Sequence, residues 1–274
     1  MAANEAACRP MPETAEIPIF LLCGGQGSRL GEVAALRPKP MLDIGDKPML
    51  LHIMSWYARF GFRRFILCTG HRGEVISDYF ANFATLNSDF TADLAGGGLV
   101  YHDPHRLPDW RVTVAFTGSA AMTGARIARA AARYLGTAEH FGVSYGDGLT
   151  DADLGAELRF HLGHDRLGTM LGVHPPSQFG RMALHEDGSA SFVEKPSRTD
   201  DLVNGGYFFF RRAFLAYLSA EDACVLEQAP LQRLTADGQL MPFQHGGFWS
   251  CVDTLRDRGV VQGLWEADAA PWKG

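Results

Sequence analysis

Residues Pro18 to Gly31, "PIFLLCGGQGSRLG", decide the fold. From Ile17 to Cys23 the chain is apolar without a break and then stops at glycine. That is the pattern of a strand buried on both faces of a parallel sheet. Glycines after such a strand clear the backbone for close approach to something. Two standard phosphate-binding motifs fail here. A dinucleotide fingerprint reads GxGxxG with an acidic residue about 20 positions on, but Gly25, Gly27 and Gly31 make the last interval one residue too long. A phosphate-loop NTPase needs GxxxxGK and then Ser or Thr, which Gly27-Ser28-Arg29 does not supply. What remains is a turn rich in backbone N–H groups feeding a helix start, an anion site in its own right. Arg29 adds a planar fork suited to phosphate oxygens, where lysine would offer a point charge. The plain alternative is a tight glycine turn with a surface arginine.

Working outward, apolar periodicity alternates between strand and helix. Pro48 to Phe60 has helical spacing with proline where a first turn tolerates it. Arg64 to Thr69 reads as a buried strand, Glu74 to Phe83 as a helix, and Val112 to Thr117 as a third strand. Thr123 to Leu135 is alanine-rich and helical, with Thr123 as its cap. His140 to Tyr145 is another strand that stops at "GDG". This alternation implies an open, doubly wound sheet. After Asp151 the rhythm changes. Ala156 to Leu162 looks helical, Thr169 to His174 extended, and Asp187-Gly188 divides two alternating runs as a hairpin turn would. "GGYFFFRRAFLAYL" reads as a strand entering a helix, and "FWSCVDTLRDRGVVQGLW" as a second such passage.

The 274 residues suffice for one large α/β domain with a sizeable core. Residues 1–15 read as a flexible leader without the apolar core of a signal peptide. Residues 16–274 read as one domain, with a nucleotide-binding half over about 16–150 and a substrate-binding half over 151–274. A formal charge of −6 argues against nucleic acid as partner. A small polyanion remains allowed, since it needs only a local cluster of cations. The 5 cysteines are scattered and never spaced CxxC, which reads as a reduced, cytoplasmic protein without a disulfide frame. No apolar run approaches the roughly 18 residues of a membrane span.

In "LRPKPMLDIGDKPML", Lys39 lies between two prolines that stiffen the chain and fix where its side chain points. "GDG" after a strand puts Asp147 at the carboxyl end of the sheet, where open α/β sheets bind ligands. Asp253 in "CVDT" sits in a similar context near the end of the chain. Two carboxylates with phosphate oxygens and water make a typical Mg²⁺ site. Each aspartate alone is as readily a turn former or a helix cap. His161 and His164, without a third ligand nearby, read as surface histidines.

"GGQGSRL" followed by "PKPMLDIGDKPML" resembles the signature of the sugar-1-phosphate nucleotidyltransferases, whose usual form is GGxGTRL, then PKPM and GKPI. "MTGARIARA" and "FWSCVDTLRD" narrow the resemblance to the glucose-1-phosphate cytidylyltransferases, which carry close counterparts of "SYGDG", "EKP", "NGGYF" and "GLWEADAAPWK". The likeness runs in order from about Ile17 to Lys273. It implies a Rossmann-like three-layer α/β/α fold with a mixed, mainly parallel sheet and a small β-rich sugar-binding part. It also implies formation of CDP-glucose and pyrophosphate from CTP and α-D-glucose 1-phosphate, with Mg²⁺, by attack of the sugar phosphate on the α-phosphorus. Such a product would feed deoxysugar assembly for surface polysaccharide such as O-antigen, or a glycosylated metabolite. A homo-oligomer, up to a hexamer, is implied as well, with the polar, poorly periodic stretch Leu86 to Trp110 ordering on substrate or on a neighbouring subunit.

By the same resemblance, Arg29 would grip the departing β- and γ-phosphates, Lys39 would sit on the α-phosphate, and Lys195 of "EKP" would hold the sugar phosphate. Asp147 and Asp253 would carry the metal, Asp147 also touching the nucleotide. Glu194 and Asn204 would contact sugar hydroxyls, Gly180 would approach the ring, and Tyr145 would lie beside them. The glycine loop (Cys23, Gly24, Gly25, Gln26, Gly27, Ser28) and "TGSAAMTGARI" would receive the nucleotide. In the latter, Gly118, Ser119, Thr123, Gly124 and Arg126 are the candidates, although a capped alanine-rich helix with an exposed arginine fits the same residues.

Of four departures from the family pattern, the first two hardly touch activity and the last two bear on specificity. Ser28 replaces threonine and Arg37 replaces lysine. Ala125 stands for the second glycine of MTGGR, and "PPSQFGRMAL" differs from PPGRFGAL. Another NTP (UTP or dTTP) or another sugar 1-phosphate therefore stays open. A non-catalytic nucleotide-sugar-binding relative is a third reading, opposed by the joint presence of Arg29, Lys39, Asp147, Lys195 and Asp253.

Overall fold

The apolar run after Glu16 forms strand β1 (Pro18–Leu22), buried along its whole length. The computed structural model describes residues 13–25, 37–102, 107–175, 181–187, 189–193 and 201–273. Gln26, Gly27, Ser28, Arg29, Gly180, Glu194 and Lys195 lie outside the described residues, as does the leader to residue 12.

After β1 come a short hairpin, β2 (Asp43–Ile44) and β3 (Lys47–Pro48), and helix α1 (Met49–Arg59). Strand β4 (Arg64–Thr69), helices α2 (Gly73–Ala81) and α3 (Phe83–Asn87), and the hairpin β5 (Phe90–Ala92) and β6 (Leu99–Tyr101) follow. Next are β7 (Arg111–Phe116), α4 (Thr123–Tyr134), β8 (His140–Tyr145), β9 (Gly148–Thr150) and α5 (Leu154–Gly163). The rest of the chain supplies β10 (Gly168–Val173), a second hairpin of β11 (Arg181–Leu184) and β12 (Ala190–Val193), and β13 (Val203–Arg211). It closes with α6 (Ala229–Ala236), β14 (Leu240–His245), β15 (Trp249–Cys251) and α7 (Leu255–Glu266).

Seven strands form one sheet in the order β14-β10-β13-β8-β1-β4-β7. It is mixed and mainly parallel: only β13 runs antiparallel to its neighbours β8 and β10. Strand β1 pairs in parallel with β4 on one side and β8 on the other. The chain therefore leaves β1 towards β4 and β7 and returns to β8 across it. That reversal opens a crevice at the carboxyl ends of β1 and β8, the place where open α/β sheets take ligands.

Successive β1 side chains point to opposite faces. Ile19 and Leu21 join the core that contains Ile53 and Met54 of α1. Phe20 and Leu22 join the one that contains Ile127 and Ala130 of α4. Both faces are thus covered by helices, which gives three layers. Among the described residues, no helix is long and apolar enough to cross a membrane.

Four segments differ from the sequence expectations. "RRAFLAYL" does not continue β13 as an α-helix; Arg212–Tyr217 is a 3₁₀ segment. It is held there by Arg212 N on Glu139 O at 2.7 Å and by Phe214 stacked on Phe210 at 3.9 Å. Edge strand β14 carries proline at its centre and is only half-buried, so its sequence lacks the continuous apolar run that marks the buried strands. The stretch from Leu86 to Trp110 includes the end of α3 and the β5–β6 hairpin. Thr123 is not the cap of α4: Met122 holds that position without a side-chain bond, and the Thr123 hydroxyl turns to another segment.

Candidate active site

A cavity of about 690 Å³ opens at the carboxyl ends of β1 and β8. Lys39, Asp147 and Asp253 meet on its wall although they are far apart in the chain. Pro38, in extended conformation, delivers Lys39 into a 3₁₀ turn, Lys39–Met41, closed by Met41 N on Pro38 O at 2.8 Å. Asp147 lies between β8 and β9. The preceding Gly146 is fixed by space: a β-carbon there would fall 2.7 Å from Pro40 and 2.9 Å from the Leu22 carbonyl oxygen. The turn that carries Asp147 can therefore press against the turn that carries Lys39.

Asp253 is brought in by pairing of β15 with β9, and Val252 N binds Asp147 O at 2.9 Å. Thr254 then starts α7 with a capping box in which Asp257 accepts the backbone N–H groups of Asp253 and Thr254, at 3.1 and 2.8 Å. The same helix braces the Lys39 side. Arg258 donates to the Asp43 carbonyl and Gln262 accepts from Gly45 N.

The Lys39 ammonium donates to Asp147 Oδ2 and to Asp253 Oδ1, each at 2.6 Å. Burial would lower the Lys39 pKa, but the Asp147 charge and the bonds to both aspartates outweigh it and raise the pKa. Lys39 is therefore a fixed cation. Cys251 adds its sulfur to this group: one ligand atom each from Asp147, Cys251 and Asp253 lie within 4.8 Å of one another. Burial, then the Asp147 charge, push the Cys251 thiol well up. The residues fit a divalent cation, because two carboxylates already converge on one positive group, the Lys39 ammonium, at contact distance.

Arg126 also borders the cavity, but its fork faces the backbone. Nη1 donates to Thr69 O, Thr117 Oγ1 and Gly118 O at 3.0, 2.9 and 2.8 Å, and Nη2 to Gly24 O at 2.9 Å. One guanidinium on α4 thereby ties together the end of β4 and the chain just beyond β1 and β7. Burial lowers its pKa. A β-carbon on Gly24 would lie 2.3 Å from Arg126 Cζ, so glycine there makes room for the clamp.

The cavity wall also holds a residue the sequence did not point to, Glu227. Its Oε1 accepts from Tyr145 OH at 2.5 Å and its Oε2 from Thr123 Oγ1 at 2.7 Å. Asn204 Nδ2 donates to Tyr145 OH at 3.2 Å, so Tyr145, Asn204, Thr123 and Glu227 form one network. Burial, then Glu227, push the Tyr145 phenol up. Glu227 belongs to no sequence motif. Only the packing of the 224–228 loop on the start of α4, with Leu226 N on Thr123 Oγ1 at 2.9 Å, brings it here.

The other candidates are placed as follows. Cys23, Gly24 and Gly25 line the cavity, Cys23 as a buried side chain. Gly118, Ser119 and Gly124 do not line it. Gly118 accepts from Arg126, and Gly124 packs on Cys224. Ala125 is fully buried and does not line the cavity. His161 is a buried core histidine rather than a surface one. It shares hydrogen bonds with His140 and Thr169, and burial lowers its pKa to about 3.

By fold and site this is an α/β protein whose cavity opens at the switch point of the sheet. A family model described as nucleotidyl transferase matches residues 19–270. The glucose-1-phosphate cytidylyltransferases of Salmonella typhimurium and Salmonella typhi are each 41% identical over 253 residues, 92% of this chain and 97% of theirs. Among solved structures, HddC from Yersinia pseudotuberculosis superposes with a TM-score of 0.65 at 21% identity, covering 91% of this chain and 99% of that one. The chain belongs to the nucleotidyl transferase family.

Proposed function

We propose that the protein makes CDP-glucose and pyrophosphate from CTP and α-D-glucose 1-phosphate. The observation that carries this reading is the Lys39 ammonium held between Asp147 and Asp253 in a cavity at the sheet's switch point. The names of the Salmonella relatives, at 41% identity over nearly the whole chain, supply the substrates.

In the reaction a sugar-phosphate oxygen forms a bond to the α-phosphorus, and the bond from that phosphorus to the β-phosphate bridging oxygen breaks. No covalent intermediate with the protein is required, so catalysis consists of positioning and charge stabilisation. Lys39 stabilises charge on the α-phosphate once substrate separates it from the aspartates. Arg29 and Lys195 serve the leaving pyrophosphate and the incoming sugar phosphate. Tyr145, Asn204 and Glu194 orient the sugar, with Gly180 beneath its ring. Asp147 and Asp253, as oxygen donors, suit Mg²⁺, which when bound neutralises phosphate charge.

Residues 16–274 act as one catalytic domain, since a single sheet takes strands from both halves. The free thiols of Cys23, Cys68, Cys224 and Cys251 suit a cytoplasmic protein. The exposed Leu94 and Val100 around the β5–β6 hairpin suit a homo-oligomer. The test is to incubate the protein with Mg²⁺, each of four NTPs and a panel of sugar 1-phosphates, following pyrophosphate. Fastest release is expected with CTP and glucose 1-phosphate. Preference for UTP or dTTP would overturn the cytidine assignment, and silence with every pair would overturn the activity.

A further inference from the structure

Cys251 is not needed for the chemistry above, yet its sulfur stands with the two aspartates that would hold the cation of the reaction. We propose that Asp147, Cys251 and Asp253 also form a binding site for a thiophilic divalent cation, Zn²⁺ or Cd²⁺, which excludes the oxygen-preferring cation of the reaction. The proposal rests on the cation position assigned under the proposed function, but not on the identity of the substrates.

Three observations carry it. First, the donor set is mixed. Carboxylates alone favour Mg²⁺, Ca²⁺ or Mn²⁺, whereas a thiolate selects Zn²⁺ and other soft ions. Second, the spacing is suitable. Donors around a tetrahedral zinc, at its usual bond lengths, stand about 3.6 Å apart. Here the three donor atoms already lie within 4.8 Å of one another, so small rotamer changes close the set. Third, a positive group marks the centre, because the Lys39 ammonium touches both carboxylates at 2.6 Å. An arriving cation takes the place of that ammonium, and the thiol proton leaves to solvent as sulfur binds. The site opens on the cavity, which gives the ion a path in and leaves room for water as the fourth ligand.

The test is a titration of the full-length protein with Cd²⁺ alone, without nucleotide, following the ultraviolet thiolate-to-cadmium charge-transfer band. A saturable band of one equivalent is expected in the unaltered protein. It should be absent in Cys251→Ser and Cys251→Ala and present in Cys224→Ser. Asp147→Asn and Asp253→Asn should each weaken Cd²⁺ binding at least about tenfold. Lys39→Met, which removes the competing ammonium, should tighten it by about tenfold or more. No band in the unaltered protein, a band that survives loss of Cys251, or one indifferent to both aspartates would overturn the proposal. Circular dichroism on each variant separates loss of ligand from loss of fold. A protein that turns over CTP but gives no band defeats this proposal alone; one that gives the band but no turnover defeats only the proposed reaction.

Discussion

Glu227 shows what a single side chain adds. It is exposed on the cavity wall and accepts two hydroxyl hydrogen bonds, from Tyr145 and Thr123. Bonds to a carboxylate are stronger than neutral ones, though solvent weakens them at an exposed site. Glu227→Ala should release both hydroxyls and raise the KM of one substrate by about tenfold while kcat changes less. Steady-state kinetics with each substrate varied in turn would decide it; unchanged KM values for both would remove Glu227 from the site. Asp147 was legible from "GDG" after an apolar strand and Lys39 from its flanking prolines. Glu227 was not, because its place depends on a loop packing against a helix start 104 residues away in the chain. Arg126 was legible as a residue but not in its role, since sequence does not reveal that its fork meets four backbone and hydroxyl oxygens.

Among the elements, α4 is the one that holds the crevice in shape. Through Arg126 it grips the last residue of β4 and the residues that follow β1 and β7. Lysine would keep the charge but lose the planar fork that reaches several carbonyls together. Arg126→Lys should cost about 2–3 kcal/mol, seen as a melting temperature lower by roughly 5–10 °C. A thermal melt within a degree or two of the unaltered protein would contradict the clamp. Buried parallel strands were the most readable elements, because a strand covered on both faces must be continuously apolar. Edge strand β14 and the 3₁₀ segment after β13 were unreadable for the opposite reason. Half-exposed β14 needs no such pattern, and Arg212–Tyr217 is set by contacts with residues 136–139 rather than by its own propensity.

Across the whole molecule, the least expected term is a buried carboxyl on α5. Both Glu157 oxygens are buried without a hydrogen-bond partner, and burial raises its pKa to about 8. The folded protein therefore keeps this proton at neutral pH, while the unfolded chain loses it near the ordinary value of 4.5. Stability from this group is complete below pH 4.5, falls as pH rises, and is lost once pH passes 8. The total effect is on the order of 5 kcal/mol. Glu157→Gln removes that slope, so its melting temperature should gain on the unaltered protein between pH 5 and pH 8.5, by roughly 5–15 °C. A constant difference across that range would contradict a neutral buried carboxyl.

Nucleotidyl transfer is proposed to occur at the triangle of Lys39, Asp147 and Asp253. Its most direct test is the turnover of CTP and glucose 1-phosphate by Asp253→Asn, which preserves size and removes the charge. A loss of at least about a hundredfold in kcat is expected, with an unchanged circular dichroism spectrum. A folded Asp253→Asn protein that retains full turnover would contradict it.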